Sequence, residues 1–314
     1  MKTITPQYYN DFKCIAGDCR HSCCVGWEID IDTETYEKYK KDKSDFGRKI
    51  FENIDVGEAG VCFRLDEDEK CPFLNDKGLC DIIIQKGENA LCNICTDHPR
   101  FRNFFSSHTE MGLGMCCEEA VRIILGCLKP FTQMFPLDYA DDAREEEKNF
   151  FQKRIMAFKI LCDRNQSIGL RIKSLLEQFG IEDCFSDMKS VSEELTEYEI
   201  LDPKWKKCID MLSECENSDD NFLGNNFWET VFEQLISYFL FRHLPDSIDD
   251  GRFNERVAFS VLGYKIIKTL CNSHRSRYGK IAFEDVCEYC RMFSSEIEYS
   301  DENTEALIDY ITFC

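Results

Sequence analysis

Residues 227–241 read FWETVFEQLISYFLF, a run whose apolar side chains surround most of a helix circumference. A surface helix keeps one polar face, whereas a helix that is apolar on nearly all sides is covered by its neighbours. We therefore expect this segment to form a central helix, with the rest of the C-terminal region packed around it.

The flanking sequence repeats the helical spacing. Apolar residues recur at steps of three and four, the period of an amphipathic helix. We see no alternating strand pattern in this region, and the segments predicted to be helical are 143–163, 256–271, 284–293 and 301–311. The predicted fold class is mainly α, with an N-terminal cysteine-rich metal-binding domain of loops and helices followed by an α-helical bundle.

Composition changes along the chain. Residues 1–136 hold 23 acids and 17 bases, whereas residues 137–314 hold 36 acids and 21 bases. Eleven of the 20 cysteines precede residue 118. We predict a cysteine-rich metal (iron–sulfur) binding domain at 1–136 and an acidic α-helical domain at 137–314. Within the first, short strands are expected at 27–31 and 61–65, and helices at 33–43 and 118–128.

Seven N-terminal cysteines form one compact pattern. Thiols at such spacings in a reducing compartment hold zinc or an iron–sulfur cluster rather than disulfides. A turn at residues 75–78 is expected to bring Cys71 and Cys80 together. The predicted metal ligands are Cys19, Cys23, Cys24, Cys71, Cys80, Cys92 and Cys95. Four further cysteines are second-tier ligands, equally well explained as small core residues: Cys14, Cys62, Cys116 and Cys117.

Charge and hydropathy exclude other classes. The chain has 38 Lys and Arg against 59 Asp and Glu, a formal net charge of −21. That field repels phosphate backbones, so nucleic acid is not an expected partner, and it attracts a lysine-bearing protein. The plainer explanation is that the acidity serves solubility. Neither a signal peptide nor an apolar run of 18 residues is visible, so we expect a cytoplasmic protein with no membrane partner.

The N-terminal motifs run Tyr8-Tyr9-x2-Phe12-x-Cys14, Cys19-x3-Cys23-Cys24-x-Gly26-Trp27-x-Ile29, Cys71-Pro72-Phe73-Leu74-Asn75, Gly78-Leu79-Cys80-Asp81-Ile82 and Leu91-Cys92-x2-Cys95. Their order resembles the cysteine-rich zinc- or iron-chelating family of the CxxxCC type and, within it, the flagellin lysine N-methylases. The likeness covers residues 6–120, and it departs from the family at Asp97-His98-Pro99-Arg100, where an aromatic residue is expected before Pro-Arg.

This resemblance implies an enzyme that uses S-adenosylmethionine to methylate lysine side chains of flagellin or a similar surface protein. It also implies one or more iron–sulfur clusters, 4Fe–4S in type, with zinc as the alternative metal. The sequence carries neither a Gly-x-Gly-x-x-Gly fingerprint nor a Cys-x3-Cys-x2-Cys motif. Cofactor binding must therefore be built in another way.

Candidate reactive residues follow from the chemistry. A lysine amine has a pKa of about 10.4 and attacks only when neutral. Tyr8 and Tyr9 are candidates for an aromatic throat that favours the neutral amine, and Asp97 for a base. Arg100 and Arg102 are candidates to bind the carboxylate of S-adenosylmethionine. The plainer explanations are that Asp97 lies on a solvated loop and that Arg100 and Arg102 are structural arginines.

Two alternatives come from other functional classes. One is a non-catalytic zinc module that presents an acidic helical surface to a protein partner. The other is an electron-transfer or cluster-carrying protein. The sequence makes no prediction of oligomeric state.

Overall fold

The fold is mainly α-helical, as predicted, in a computed structural model that describes residues 2–57, 60–131, 144–214 and 226–313. The strands are β1 (Lys2–Ile4), β2 (Ile54–Val56), β3 (Val61–Phe63), β4 (Arg100–Phe104) and β5 (His108–Leu113). The first helices are α1 (Thr33–Lys41), α2 (Asp45–Glu52), α3 (Asp81–Lys86), α4 (Asn93–Asp97) and α5 (Glu118–Gly126). The later helices are α6 (Glu145–Leu161), α7 (Ile168–Phe179), α8 (Met188–Leu195), α9 (Pro203–Ser213), α10 (Asn226–His243), α11 (Ser247–Asp250), α12 (Phe253–Tyr278), α13 (Phe283–Phe293) and α14 (Asp301–Phe313).

The chain forms two compact units. Lys13–Arg100 is one, here called the cysteine unit, and Met1–Phe12 together with Phe101–Cys314 is the other, the helical unit. The predicted boundary at 136/137 lies outside the described residues. The units divide instead at 12/13 and 100/101 because β5 pairs with β1 and α5 packs on α10 and α13.

The cysteine unit has a small apolar core of its own. Ile29, Ile50 and Phe63 belong to it, and two of its short helices begin at a capping side chain. The Asp32 carboxylate accepts the N–H of Thr35 at 3.0 Å to start α1. The Ser44 hydroxyl accepts the N–H of Gly47 at 3.0 Å to start α2.

Two predictions of regular structure in this unit are confirmed and one is wrong. The helix at 33–43 is α1 and the strand at 61–65 is β3, which pairs antiparallel with β2. The strand predicted at 27–31 is not formed. Its only pairing with β3 is an isolated bridge between Asp30 and Cys62. Strand β3 is only three residues long, so residues 27–31 lack a partner long enough to form a ladder of backbone hydrogen bonds.

The helical unit is built around α10, as predicted. Every described residue from Val231 to Phe241 is buried, and α10 packs on α12 and on α5. The helices predicted at 118–128, 143–163, 256–271, 284–293 and 301–311 are α5, α6, α12, α13 and α14. Helices α7, α8 and α9 were not predicted from the sequence. Among the described helices, including the 26-residue α12, none is long and apolar enough to cross a membrane.

A three-stranded sheet in the order β1-β5-β4 was not predicted either. Strand β1 runs parallel to β5, with Lys2 opposite His108. Gly112 on β5 leaves room for an aromatic ring, because a Cβ there would lie 2.3 Å from the Phe101 ring. The sheet thereby carries residues 101–113 into the helical unit.

Candidate metal centre

Five cysteines of the cysteine unit lie close together, and we call them the thiol cluster: Cys24, Cys71, Cys80, Cys92 and Cys95. The backbone N–H of Cys71 donates to the carbonyl of Cys24 at 2.8 Å. Cys80 immediately precedes α3, Cys92 immediately precedes α4, and Cys95 lies within α4. All five belong to the apolar core of the unit or pack against it.

The predicted turn between Cys71 and Cys80 is formed. The Asn75 side-chain oxygen accepts the N–H groups of Lys77 at 3.0 Å and Leu79 at 3.1 Å. Gly78 adopts φ +69°, a conformation that costs a residue without a Cβ little. The turn folds the chain back so that Leu74 bridges to Cys80.

The Cys92-x2-Cys95 clip brings two sulfurs into contact, with Sγ–Sγ 3.3 Å. This shared S–H···S contact lowers the pKa of Cys92 and raises that of Cys95. Burial and the negative charge of the Cys92, Cys24 and Cys71 thiolates raise the pKa of Cys95 further. Cys92 is therefore easier to deprotonate than Cys95.

The other three cluster thiols differ in their environment. A side-chain hydrogen bond with Cys23 lowers the pKa of Cys24 to about 7. Burial, followed by the charges of neighbouring cluster thiolates, raises the pKa of Cys71 to about 12. Burial also raises the pKa of Cys80. The first cysteine doublet therefore supplies an acidic thiol to the cluster, that of Cys24.

The donor set fits a thiolate-bound metal or cluster, since five soft sulfur ligands share one core. Within the described residues, no three His, Cys, Asp or Glu side chains are already arranged to hold a metal ion. The clip comes nearest to a ligand pair. Two thiolates bound at about 2.3 Å to one tetrahedral zinc lie about 3.8 Å apart, close to the 3.3 Å between Cys92 and Cys95.

The remaining first-tier cysteines lie on the loop before the cluster. Cys23 is exposed and bonds Cys24 through its side chain, while its carbonyl accepts the Trp27 indole N–H at 2.6 Å. Cys19 is half-buried, and its thiol donates to the carbonyl of His21 at 2.9 Å. The cysteine unit thus contains all seven predicted ligands, five of them in the thiol cluster.

The second-tier cysteines are dispersed. Cys14 is exposed, and its sulfur accepts the N–H of Ala16 at 3.4 Å. Cys62 lies on β3, where a side-chain hydrogen bond with Glu28 raises its pKa to about 11. Cys116 and Cys117 belong to the helical unit, at the start of α5.

The tyrosine candidates for reactive residues belong to the helical unit. Tyr8 is fully buried in its core, with its ring centroid 6.2 Å from that of Phe131. Burial raises the pKa of Tyr8 far above its ordinary value. The Tyr9 hydroxyl contacts the sulfur of Met111.

The acidic and basic candidates lie on α4 and β4. Asp97 is half-buried and is the last residue of α4. The Arg100 guanidinium donates to the carbonyl of Thr96 at 3.3 Å, and Arg102 is half-buried on β4. The role of each residue stays a prediction.

Two residues that no sequence motif marks hold the segment around Cys92. Asp32 and Tyr39, both of the α1 region, bond backbone atoms on either side of Cys92. The signal available in the sequence was the cap pattern Asp32-x2-Thr35, which marks only a helix start.

Comparison with known families places the chain. The family profile described as "FliB lysine N-methylase C-terminal domain" matches residues 101–313, about two thirds of the chain and most of the helical unit. The protein belongs to the FliB lysine N-methylase family.

Individual relatives match a shorter stretch. Proteins named lysine-N-methylase from Salmonella choleraesuis and Salmonella typhimurium are each 30% identical over 137 residues, covering 40% of this chain and 33% of the relative. The flagellar biosynthetic protein FliU of Salmonella muenchen is 29% identical over 137 residues, covering 40% of this chain and 79% of that protein. The match thus spans about a third of the length of the two lysine-N-methylases. No solved structure matches the fold.

Proposed function

We propose that this protein is an S-adenosylmethionine-dependent methyltransferase that N-methylates lysine side chains of flagellin. The family match over residues 101–313 carries the proposal. The names of the relatives support it, because two are lysine-N-methylases and the third is a flagellar biosynthetic protein.

The proposed reaction is a simple displacement. The neutral ε-amine of the substrate lysine attacks the methyl carbon of S-adenosylmethionine. A nitrogen–carbon bond forms, the sulfur–methyl bond breaks, and S-adenosylhomocysteine leaves with the bonding electron pair. One proton must pass from the amine to a base or to water, since a lysine with a pKa of about 10.4 is mostly charged at neutral pH.

The thiol cluster is the proposed binding site of an iron–sulfur cluster. Cys92 and Cys95 would hold it together with thiolates drawn from Cys24, Cys71 and Cys80, which share the same core. When bound, such a group supplies redox chemistry and Lewis-acidic iron. Arg100 and Arg102 stay our candidates for the carboxylate of S-adenosylmethionine.

The charge of the chain suits a lysine-bearing partner. The net charge of −21 attracts a cationic segment over a distance comparable with the Debye length, about 8 Å at physiological ionic strength. We expect the KM for flagellin to rise with salt while kcat changes little, because screening weakens the encounter rather than the chemical step.

Metal, sulfide and methyl-transfer measurements on anaerobically purified protein test the proposal. We expect iron and labile sulfide in equal amounts, a visible absorption band, and transfer of labelled methyl groups to flagellin lysines. Cys92→Ser should lose iron, whereas Cys287→Ala, a change at a buried cysteine of the helical unit, should keep it. Absence of methyl transfer from fully loaded protein would refute the enzyme assignment.

One observation favours a second candidate, the zinc module. The 3.3 Å Sγ–Sγ separation in the clip suits two ligands on a single ion. Stoichiometric zinc without sulfide would support a zinc-stapled protein that presents an acidic surface to a partner. Iron and sulfide without any methyl transfer would support the electron-transfer or cluster-carrying alternative.

A further inference from the structure

We propose that the α1 region positions Cys92, with Asp32 and Tyr39 holding the backbone on both sides of this thiol before any metal binds. The inference rests on the proposed metal centre and adds two residues to it. The carboxylate of Asp32 accepts the N–H of Asn93 at 2.9 Å, one residue after Cys92. The Tyr39 hydroxyl donates to the carbonyl of Ala90 at 2.6 Å, two residues before Cys92.

These two contacts enclose a very short segment. Ala90 accepts a hydrogen bond from Tyr39, 51 positions earlier in the chain, and Asn93 donates one to Asp32, 61 positions earlier. Cys92 is 0% exposed and Tyr39 is 5% exposed, so water competes little for the Tyr39–Ala90 bond, whereas the Asp32–Asn93 bond is exposed. The segment that carries the clip is therefore anchored to a helix rather than left as a free loop.

The capping arrangement explains why a distant carboxylate is needed. Cys92 occupies the position before α4 that Ser, Thr, Asp or Asn usually fills, yet it makes no side-chain capping bond. Its thiol is thus left for the cluster, and Asp32 accepts the Asn93 N–H, one of the donors that a helix start leaves without an intrahelical partner.

Asp32 has two separable roles, one for each carboxylate oxygen. Oδ1 accepts the N–H of Thr35 at 3.0 Å and so caps α1 itself, while Oδ2 reaches Asn93. An asparagine is an equally good helix cap but has only one side-chain oxygen. Asp32→Asn should therefore keep α1 and release the Cys92 segment.

Tyr39→Phe is the corresponding change at the other contact. It removes the hydroxyl that reaches Ala90 and keeps the ring, whose centroid lies 6.1 Å from that of Phe63. Tyr36→Phe, the same substitution one turn earlier on α1, is the matched control, because the Tyr36 ring faces Phe51.

Cysteine alkylation in the full-length, reduced, metal-free protein tests the positioning directly. We expect Asp32→Asn and Tyr39→Phe each to raise the alkylation rate of Cys92 about tenfold, the fold-change for loss of roughly one hydrogen bond. The rate at exposed Cys14 should not change, and Tyr36→Phe should behave as the wild type. Equal Cys92 rates in all four proteins would overturn the inference.

Cobalt(II) titration of the same apoproteins gives the second measurement, because thiolate-to-cobalt absorption reports binding without enzyme activity. We expect about tenfold weaker binding in Asp32→Asn and Tyr39→Phe than in Tyr36→Phe. Faster alkylation with unchanged cobalt affinity would overturn the claim that Cys92 is positioned for a metal. If the wild type binds no metal while the alkylation rates still differ, the proposed metal centre fails and the contacts around Cys92 stand.

Discussion

Arg154 joins β5 to α6 through a fully buried ion pair. Its guanidinium donates to Glu110 at 2.8 Å, and it lies 4.9 Å from the ring centroid of Phe150 and 5.3 Å from that of Phe151. His108 also reaches Glu110, with Nε2–Oε1 3.3 Å. A buried pair is worth little relative to an apolar pair of the same shape, but breaking it strands a charge.

We therefore expect Arg154→Met to lower the free energy of unfolding by about 3–5 kcal/mol, measured by urea unfolding followed through helical circular dichroism. Lys148→Met on the same helix removes a surface ion pair and should cost less than about 1 kcal/mol. The double variant Glu110→Gln/Arg154→Met should recover much of the loss. A double variant as unstable as the single one would show that the stranded charge is not the cause.

The same pair predicts a dependence on pH. Burial alone would raise the pKa of Glu110, yet the Arg154 guanidinium and the His108 bond hold this pKa below its usual range. A carboxyl whose folded-state pKa is depressed stabilises the fold above its unfolded pKa of about 4.3, and this stabilisation is lost as pH falls through the folded-state value. The stability gap between wild type and Arg154→Met should therefore narrow as the pH falls from about 4.3 through the folded-state value, and a gap that widens there would contradict this assignment.

For single residues, the sequence indicates which side chains lie together only where their spacing is characteristic. Cysteine spacing identified all five members of the thiol cluster, because chemistry and spacing are both visible in the chain. Asp32 and Tyr39 could not be recognised, since their partners lie 61 and 51 residues away. Tyr8 belongs to the motifs on which the resemblance rests, but its phenol is buried in the core.

A π-helical segment, Ser294–Glu298, connects α13 to α14 and directs two buried carboxylates to different helices. Glu296 accepts the N–H groups of Leu201 at 2.9 Å and Asp202 at 2.7 Å, at the start of α9. Glu298 bonds His243 at 2.6 Å, at the end of α10. The wider turn thus links the starts and ends of helices that are far apart in sequence.

We expect Glu296→Ala to lower the free energy of unfolding by about 2–4 kcal/mol, because two backbone donors lose their acceptor. Thermal and urea unfolding would measure the loss, and Glu302→Ala, an exposed change on α14, is the control. Glu296→Gln should lie between the two, since its amide keeps one acceptor oxygen. An alanine variant as stable as the control would show that water replaces the carboxylate at α9.

Elements with a clear period were predictable and the others were not. Helices α5, α6, α10, α12, α13 and α14 were predicted from apolar spacing or from acidic residues at the helix start, as at Asp301 for α14. Strand β5 is buried on both faces at His108, Thr109 and Glu110, so it lacks the alternation that marks a strand. The segment 27–31 has that alternation but lacks a partner long enough to form a ladder.

The described residues form two separate apolar cores, one in each unit. We expect calorimetry to resolve two transitions, of which only that of the cysteine unit shifts when metal is removed by a chelator under reducing conditions. Cys92→Ser should shift the same transition. Arg154→Met should lower only the other, by about 2–4 °C per kcal/mol lost. One transition that moves as a whole under all three changes would contradict two independent cores.

Across the whole chain, a change in composition does not indicate where a compact unit begins or ends. Cysteine and charge density change near residue 137, whereas the compact units divide at 12/13 and 100/101. A scan for a boundary assumes that each unit is continuous in sequence. The pairing of β1 with β5 contradicts that assumption, because residues 2–4 pair with residues 108–110 although the whole cysteine unit lies between them in the sequence.

The same pairing has a consequence for synthesis on the ribosome. Residues 2–4 leave the exit tunnel long before residues 108–110 are translated. At about 5–20 residues per second, the wait lasts roughly 5–20 seconds. The whole cysteine unit is synthesised during that interval and can begin to collapse before β5 follows, while β1 is still without its partner strand. The cysteine unit, which lies within the sequence of the helical unit, is therefore synthesised in full before the helical unit is complete.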